Sequence, residues 1–384
     1  MKGGPLHTPA APRSVTLFVC GDVMLGRGID QILMHPGDPS LHEPAAKSAV
    51  EYVGLAEALN GAIPRLVEPS YVWGDALAAL TDANPAARII NLETSVTTST
   101  FFAPKGINYK MNPANIACLK AAGIDCCVLA NNHVLDFGSQ GLLETLESLR
   151  RAGLKTAGAG RDVTEAEAPA IIDLYDGGRV LIFAFGHSSG GIPRNWAAGA
   201  NRPGVSLLPD FSERALTGIA QRVSAVRRDG DMTIASIHWG GNWGYAIGEA
   251  QRRFAHRLID VAGFDLVHGH SSHHPRPLEV YRGRLILYGC GDFLNDYEGI
   301  AGYEEFRGEL SLMYLPRLCA ATGRLIDLRM VPFRIARFRL HRASDADAVW
   351  LRQRLDAVFQ PFGVSIDRDA RGDLWVSASG LRQA

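Results

Sequence analysis

Val15-Thr16-Leu17-Phe18-Val19-Cys20, followed at once by Gly21-Asp22, is a short apolar run that stops on a carboxylate. A run of this length, flanked by a turn signal, reads as a buried strand that delivers Asp22 to a loop. The arrangement recurs along the chain. Arg88-Ile89-Ile90 ends at Asn91-Leu92-Glu93, Cys126–Ala130 at Asn131-Asn132-His133, and Val180–Phe185 at Gly186-His187. Met232–Ile237 ends at His238-Trp239-Gly240, Phe264–Val267 at His268-Gly269-His270, and Leu285–Tyr288 at Gly289-Cys290-Gly291-Asp292. Between these strands lie helical segments at Asn112–Ala122, Gly141–Ala152, Asp210–Arg228 and Glu249–Ala262. The alternation predicts an α/β fold with helices covering the sheet. In such folds ligands bind beyond the carboxyl ends of the strands, so the polar clusters are expected along one rim. Residues 31–75 and 94–112 read as long connections of the kind that carry substrate loops.

The composition sets the class. Hydrophobic residues are 47% and charged residues 21% of 384, enough to bury a sizeable core. Lys plus Arg total 39 against 40 Asp plus Glu, a net charge of −1, and the basic residues form no stripe, which argues against nucleic acid or an anionic membrane as partner. The six cysteines show no Cys-x-x-Cys spacing and read as buried free thiols of a reducing compartment. With no apolar leader and no run long enough to span a bilayer, the expected location is cytoplasmic, without a membrane anchor. Residues 1–14 are expected to be disordered, residues 15–340 to form the main domain, and residues 341–384 to form a small helix-plus-hairpin appendage.

Asp22, Glu93, Asn132, His238, His270 and His273 are all of types that ligate a divalent ion. A mixed carboxylate, amide and imidazole set suits Mn, Zn, Fe or Co, whereas a site of oxygens alone would suit Ca or Mg. One or two ions are expected, with a metal pair binding substrate oxygens and acidifying a water. Taken singly, each residue has a plain alternative: an Asp after a strand often caps a helix, and Asn-rich segments form turns. Taken together, the recurrence of His, Asp or Glu at every strand end favours a site. His133 is the leading acid/base candidate, with Asp136 placed to orient its ring, and His187 and His274 are further candidates. Arg27, Lys105 and His268 are candidates for substrate binding. Trp239 and Trp243 are candidates for an apolar pocket wall, with plain packing as the alternative.

Six ordered motifs carry a resemblance. Gly-Asp-Val-Met-Leu-Gly-Arg at 21–27, Asn-Leu-Glu at 91–93 and Ala-Asn-Asn-His-Val-Leu-Asp-Phe-Gly at 130–138 resemble the CapA-like, poly-γ-glutamate capsule biosynthesis family. So do His-Trp-Gly at 238–240, Gly-His-Ser-Ser-His-His-Pro at 269–275 and Tyr-Gly-Cys-Gly-Asp-Phe at 288–293. That family is similar in fold to the calcineurin-like metallophosphoesterases, which implies an αββα sandwich. By the resemblance, Asp22 would hold one metal, Glu93 would sit between metals, and Asn132, His238 and His270 would hold the other. His273 or His274 would complete the first. Phosphoesterases of this kind open with Asp-x-His, where this chain has Met24, and Ser272 stands where their closing motif has its second His. The resemblance implies a metal-dependent enzyme acting on a carboxylate-bearing peptide or poly-γ-glutamate-like substrate, with hydrolysis as the first expectation. A branch resembling lasso-peptide epimerases implies metal-assisted inversion at Cα as the alternative. A non-catalytic capsule-polymer accessory is the third. The sequence is silent on oligomeric state.

Overall fold

The computed structural model describes residues 13–175 and 177–376. Nearly all of the segment expected to be disordered lies outside the described residues; within them the first strand starts at Ser14. Among the described residues, two large sheets form, one of ten strands and one of seven. Along one side of the first, strands Ser14–Val23, Ala87–Leu92, Cys126–Val128 and Lys155–Ala157 run parallel, the last at its edge. In the second, Arg179–His187, Met232–His238, Leu266–His270 and Arg284–Leu287 run parallel. Parallel strands bring their carboxyl ends to one edge, which is why the polar clusters gather.

The strands are continuously apolar because both faces are covered. Alternate residues serve different cores: Leu17 and Val19 join Val180 and Ile182 between the two sheets, while Phe18 and Cys20 face the outer layer of the first sheet. That outer layer is built by helices Arg27–Ile32, Ala49–Asn60, Ala76–Ala83 and Gly138–Arg151, which contribute Ile29, Val53, Leu80 and Leu142. Leu181, Phe183 and Phe185 point the other way, onto Leu216, Ile219, Phe254 and Leu258 of helices Glu213–Val226 and Glu249–Asp260. The order of layers is helix, sheet, sheet, helix. This is the metallophosphoesterase-like α/β sandwich.

Two features differ from the sequence expectation. Helix Ala49–Asn60 lies inside the stretch read as a long connection, with Ser48 and Glu51 forming a capping box at its start. The antiparallel strands Leu310–Cys319 and Leu325–Ala336, absent from the set of strands that end on polar clusters, widen the first sheet beside Ser14–Val23. The C-terminal helix Asp345–Phe359 and the strands Ile366–Arg368 and Leu374–Val376 join the far edge of that sheet. Their Leu351, Leu355, Phe359 and Leu374 are buried in the core between the sheets.

Candidate metal centre

Strand register assembles the centre. Asp22 lies opposite Asn91 on one neighbouring strand and opposite Asp292 on the other, next to register irregularities on both sides. Such bulges re-aim a side chain at the end of a strand. The close approach of the 290–292 segment requires glycine at position 21, where a Cβ would lie 1.6 Å from the Gly291 carbonyl oxygen. In the second sheet His238 pairs with His270, and Ser236 with His268. Two ligand groups result, Asp22–His238–His270 and Asp22–Glu93–Asp292, each with its candidate ligand atoms within 4.8 Å of one another. All five residues are buried.

Asp22, not Glu93, is the carboxylate common to both groups. Glu93 Oε1 lies 3.8 Å from His238 Nε2, so it also reaches toward the imidazole pair. Asn91 Nδ2 donates to Asp22 Oδ1 at 2.7 Å and holds the carboxylate in place. Asp22 Oδ2 and Asn132 Oδ1 are buried without a hydrogen-bond partner. Among the described residues, no Lys or Arg side chain bonds to Asp22, Glu93 or Asp292. Burial, reinforced by the charge of Asp292, pushes the Asp22 carboxyl up to about 8. Burial together with Asp22 and Asp292 raises Glu93 well above the carboxylate range. His238 and His270 are pulled well below the ordinary histidine value by burial, so they stand as neutral imidazoles. Clustered carboxylates, neutral imidazoles and orphaned acceptor oxygens fit a divalent cation, which would neutralise the carboxylates and fill the open lone pairs.

A proton chain sets the tautomer of His270. His268 Nε2 lies 2.7 Å from the Cys20 carbonyl oxygen, which can only accept, so Nε2 carries the proton. His268 Nδ1 then accepts from Ser236 Oγ at 3.0 Å, and Ser236 Oγ accepts from His270 Nε2 at 3.0 Å. His270 is left with a bare Nδ1, 2.9 Å from His238 Nδ1 and 3.9 Å from Asp22 Oδ1. His268 is therefore fully used inside the core and is not a substrate contact. His268→Leu should cost about 1–3 kcal/mol in urea unfolding, by orphaning the Cys20 carbonyl. It should also weaken metal affinity about 10–100-fold, the usual cost of losing a partner that orients a ligand.

Beside the two groups, His133 sits in the turn that precedes helix Gly138–Arg151 rather than in the helix. Its Nδ1 donates to Asp136 Oδ2 at 2.6 Å, and Asp136 is itself pinned by the Tyr109 backbone N–H at 2.7 Å. The Tyr109 ring stacks on His133 at 3.8 Å. Burial pulls His133 down to about 4 against the attraction of Asp136, and Lys105 adds to the drop. At neutral pH the ring is uncharged, with Nε2 open to take a proton.

Other expected site residues are placed differently. The Arg27 guanidinium is buried and neutralised by Asp296 and Glu43 under the ring of Tyr52, so it is not free to hold a substrate anion. The Lys105 ammonium turns inward to Asp136 Oδ1 at 2.6 Å and to the Asn132 carbonyl oxygen. Trp239 is a core residue whose Nε1 donates to the Tyr288 carbonyl at 3.1 Å. His187 accepts at Nδ1 from the Ser189 N–H at 3.1 Å, capping its own turn while its ring stacks on Phe211. His273 lies in neither ligand group; its Nδ1 bonds Asp292 at 3.1 Å and its Nε2 faces Asn242 at 3.0 Å. His274 also lies outside the groups, enclosed by Tyr245 and Phe306, and Trp243 stacks on Tyr303 at 4.0 Å beside it.

The sequence reading missed Asp292 as a ligand, along with Asn91 and Tyr109 as supports. In sequence Asp292 also stands just past an apolar run, Leu285–Tyr288. The signal was the same recurrence, but the neighbouring histidines of 268–274 took its place.

A family model described as bacterial capsule synthesis protein PGA_cap matches residues 16–297. A Mycobacterium tuberculosis protein named "Probable polyglutamine synthesis accessory protein" is 48% identical over 357 residues, 92% of this chain and 94% of that one. The PGA biosynthesis protein CapA of Bacillus subtilis is 28% identical over 278 residues, 72% of this chain and 62% of that one. Among solved structures, a phosphatase of Mycoplasma pneumoniae aligns with a TM-score of 0.43 at 10% identity, covering 84% of this chain and 94% of that one. The family match spans Asp22, Glu93, His133, His238, His270 and Asp292 and takes in both ligand groups. The chain belongs to the bacterial capsule synthesis protein family PGA_cap.

Proposed function

We propose that this chain is a metal-dependent hydrolase acting on a peptide-like polymer of glutamyl or glutaminyl residues. The observation that carries the reading is the sharing of Asp22 by two buried ligand groups with His133 beside them. The Asp22–His238–His270 group would hold a transition metal, and the all-oxygen Asp22–Glu93–Asp292 group a harder ion such as Mn or Mg. Bound ions would polarise a carbonyl and supply a hydroxide-like water at neutral pH. His133 Nε2 accepts or returns a proton at the reacting group, Asp136 holds its tautomer, and Tyr109 keeps the ring in plane by stacking. The polymer class is taken from the names of the relatives, one a probable polyglutamine synthesis accessory protein and another a PGA biosynthesis protein.

The epimerase reading needs two bases on opposite faces of a carbon. His133 presents an open ring nitrogen beside the ligand groups, both nitrogens of His273 are engaged, and His274, whose Nε2 also has no partner, has its ring enclosed by Tyr245 and Phe306. That favours hydrolysis. The test is to load purified protein with Mn, Co or Zn and incubate it with poly-γ-glutamate and with α-linked glutamine oligomers in heavy water. About one to two ions per chain and growth of new amino termini are expected, with no deuterium at Cα. Deuterium at Cα with unchanged length would replace this reading by epimerisation. Absence of metal uptake would end the metalloenzyme reading altogether.

A further inference from the structure

Arg276 is a buried cation without a counter-ion. It is 6% exposed, and among the described residues no carboxylate pairs with it. One guanidinium nitrogen, Nη2, donates to the Ala246 carbonyl. Nε and Nη1 are buried with no partner. An unpaired buried guanidinium is costly, because each orphaned donor forfeits its hydration without recovering a bond. The adjacent Gln251 is 7% exposed, and its Nε2 is also buried without a partner. The two side chains converge: a Cβ on Gly240 would lie 2.6 Å from Arg276 Nη1 and 3.6 Å from Gln251 Nε2.

Both groups lie at the start of helix Glu249–Asp260, Gln251 as part of it and Arg276 through its bond to the Ala246 carbonyl. Ala246 and Gly248 lead into it, Gln251 is in its first turn, and the N-cap Gly248 supplies no side-chain bond to the first backbone N–H groups. A helix of 12 residues presents partial positive charge and open donors at that end. Three features that each favour an anion therefore coincide: a helix N-terminus, an unpaired guanidinium and an unpaired amide donor.

We propose that the N-terminus of helix Glu249–Asp260, with Arg276 and Gln251, is a binding site for a compact oxyanion, a carboxylate or a phosphate. The site lies outside the metal centre but is joined to it. The loop that closes it carries Asn242, whose carbonyl accepts from the His273 N–H and whose amide faces the His273 ring. Gly240 of the same loop accepts from Ser271 Oγ at 3.3 Å. A bound oxyanion would order this loop, and with it the His273–Asp292 pair.

The test uses full-length protein stripped of metal by chelation, so that oxyanion binding at the metal centre does not contribute. Inorganic phosphate and a γ-linked glutamate oligomer are titrated separately, by calorimetry and by thermal unfolding. At least one probe should bind and raise Tm, and the stronger of the two identifies the source of the anion. Arg276→Met should weaken that binding at least tenfold, whereas His238→Ala should leave it unchanged, so failure of the metal-centre reading does not decide this one. Gln251→Glu places a carboxylate of the chain's own against Arg276. It should raise Tm in anion-free buffer and abolish the response to added anion. The proposal is overturned if neither probe binds chelated wild type, if folded Arg276→Met binds as wild type does, or if Gln251→Glu lowers Tm and keeps the anion response.

Discussion

Asp22→Ala should remove both metals at once. Its carboxylate is the member common to the two ligand groups, and its Oδ2 is buried with no other partner. Metal content by elemental analysis should drop from about two ions per chain to near zero after dialysis. Turnover should fall by more than the roughly 100-fold that loss of a single orienting partner costs. Glu93→Gln is the informative contrast. Glu93 belongs to one group and only approaches His238 of the other, so about one ion should remain, held by Asp22, His238 and His270. If the two variants bind metal equally, Asp22 is not the shared ligand. If Asp22→Ala keeps full occupancy, the centre has been built from the wrong residues. Circular dichroism should show both variants folded, since the strands that carry these positions are secured by the cores on either side.

The second large effect is expected at His133. His133→Asn should lower turnover about 10²–10⁴-fold, the range for a positioned acid or base, while metal content stays unchanged. The separation is expected because His133 lies in neither ligand group and because its Nδ1 is spent on Asp136. Asp136→Asn should act in the same direction through His133. The amide can present an N–H to Nδ1 and so favour the tautomer with the proton on Nε2, which blocks that nitrogen as a base. Retention of wild-type rates by both variants in an assay where wild type is active would remove the dyad from the chemistry.

Much of this was legible because short-range patterns decide it. Short apolar runs ending on Asp, Asn or His mark buried parallel strands, and parallel strands bring their carboxyl ends to one edge. Thus Asp22, Glu93, His133, His238 and His270 could be expected to gather at one rim. The spacing of His133 and Asp136 within one turn was likewise enough to expect their contact, which is 2.6 Å.

What the sequence could not decide was which polar groups were already taken. Arg27 looks like a free cation in a motif loop, yet Asp296, 269 positions away, and Glu43, 16 positions away, neutralise it. His268 looks like a substrate contact beside His270, but the Cys20 carbonyl and Ser236 occupy both of its nitrogens. The same holds for the choice of Asp292 over His273, which rests on a parallel pairing of Asp22 with a strand some 270 positions away. Local sequence determines which residues reach the rim, since strand ends and turns are set by neighbours along the chain. Sheet register and side-chain partnering across long separations decide which of them remain free to bind, and these exist only once both sheets have packed.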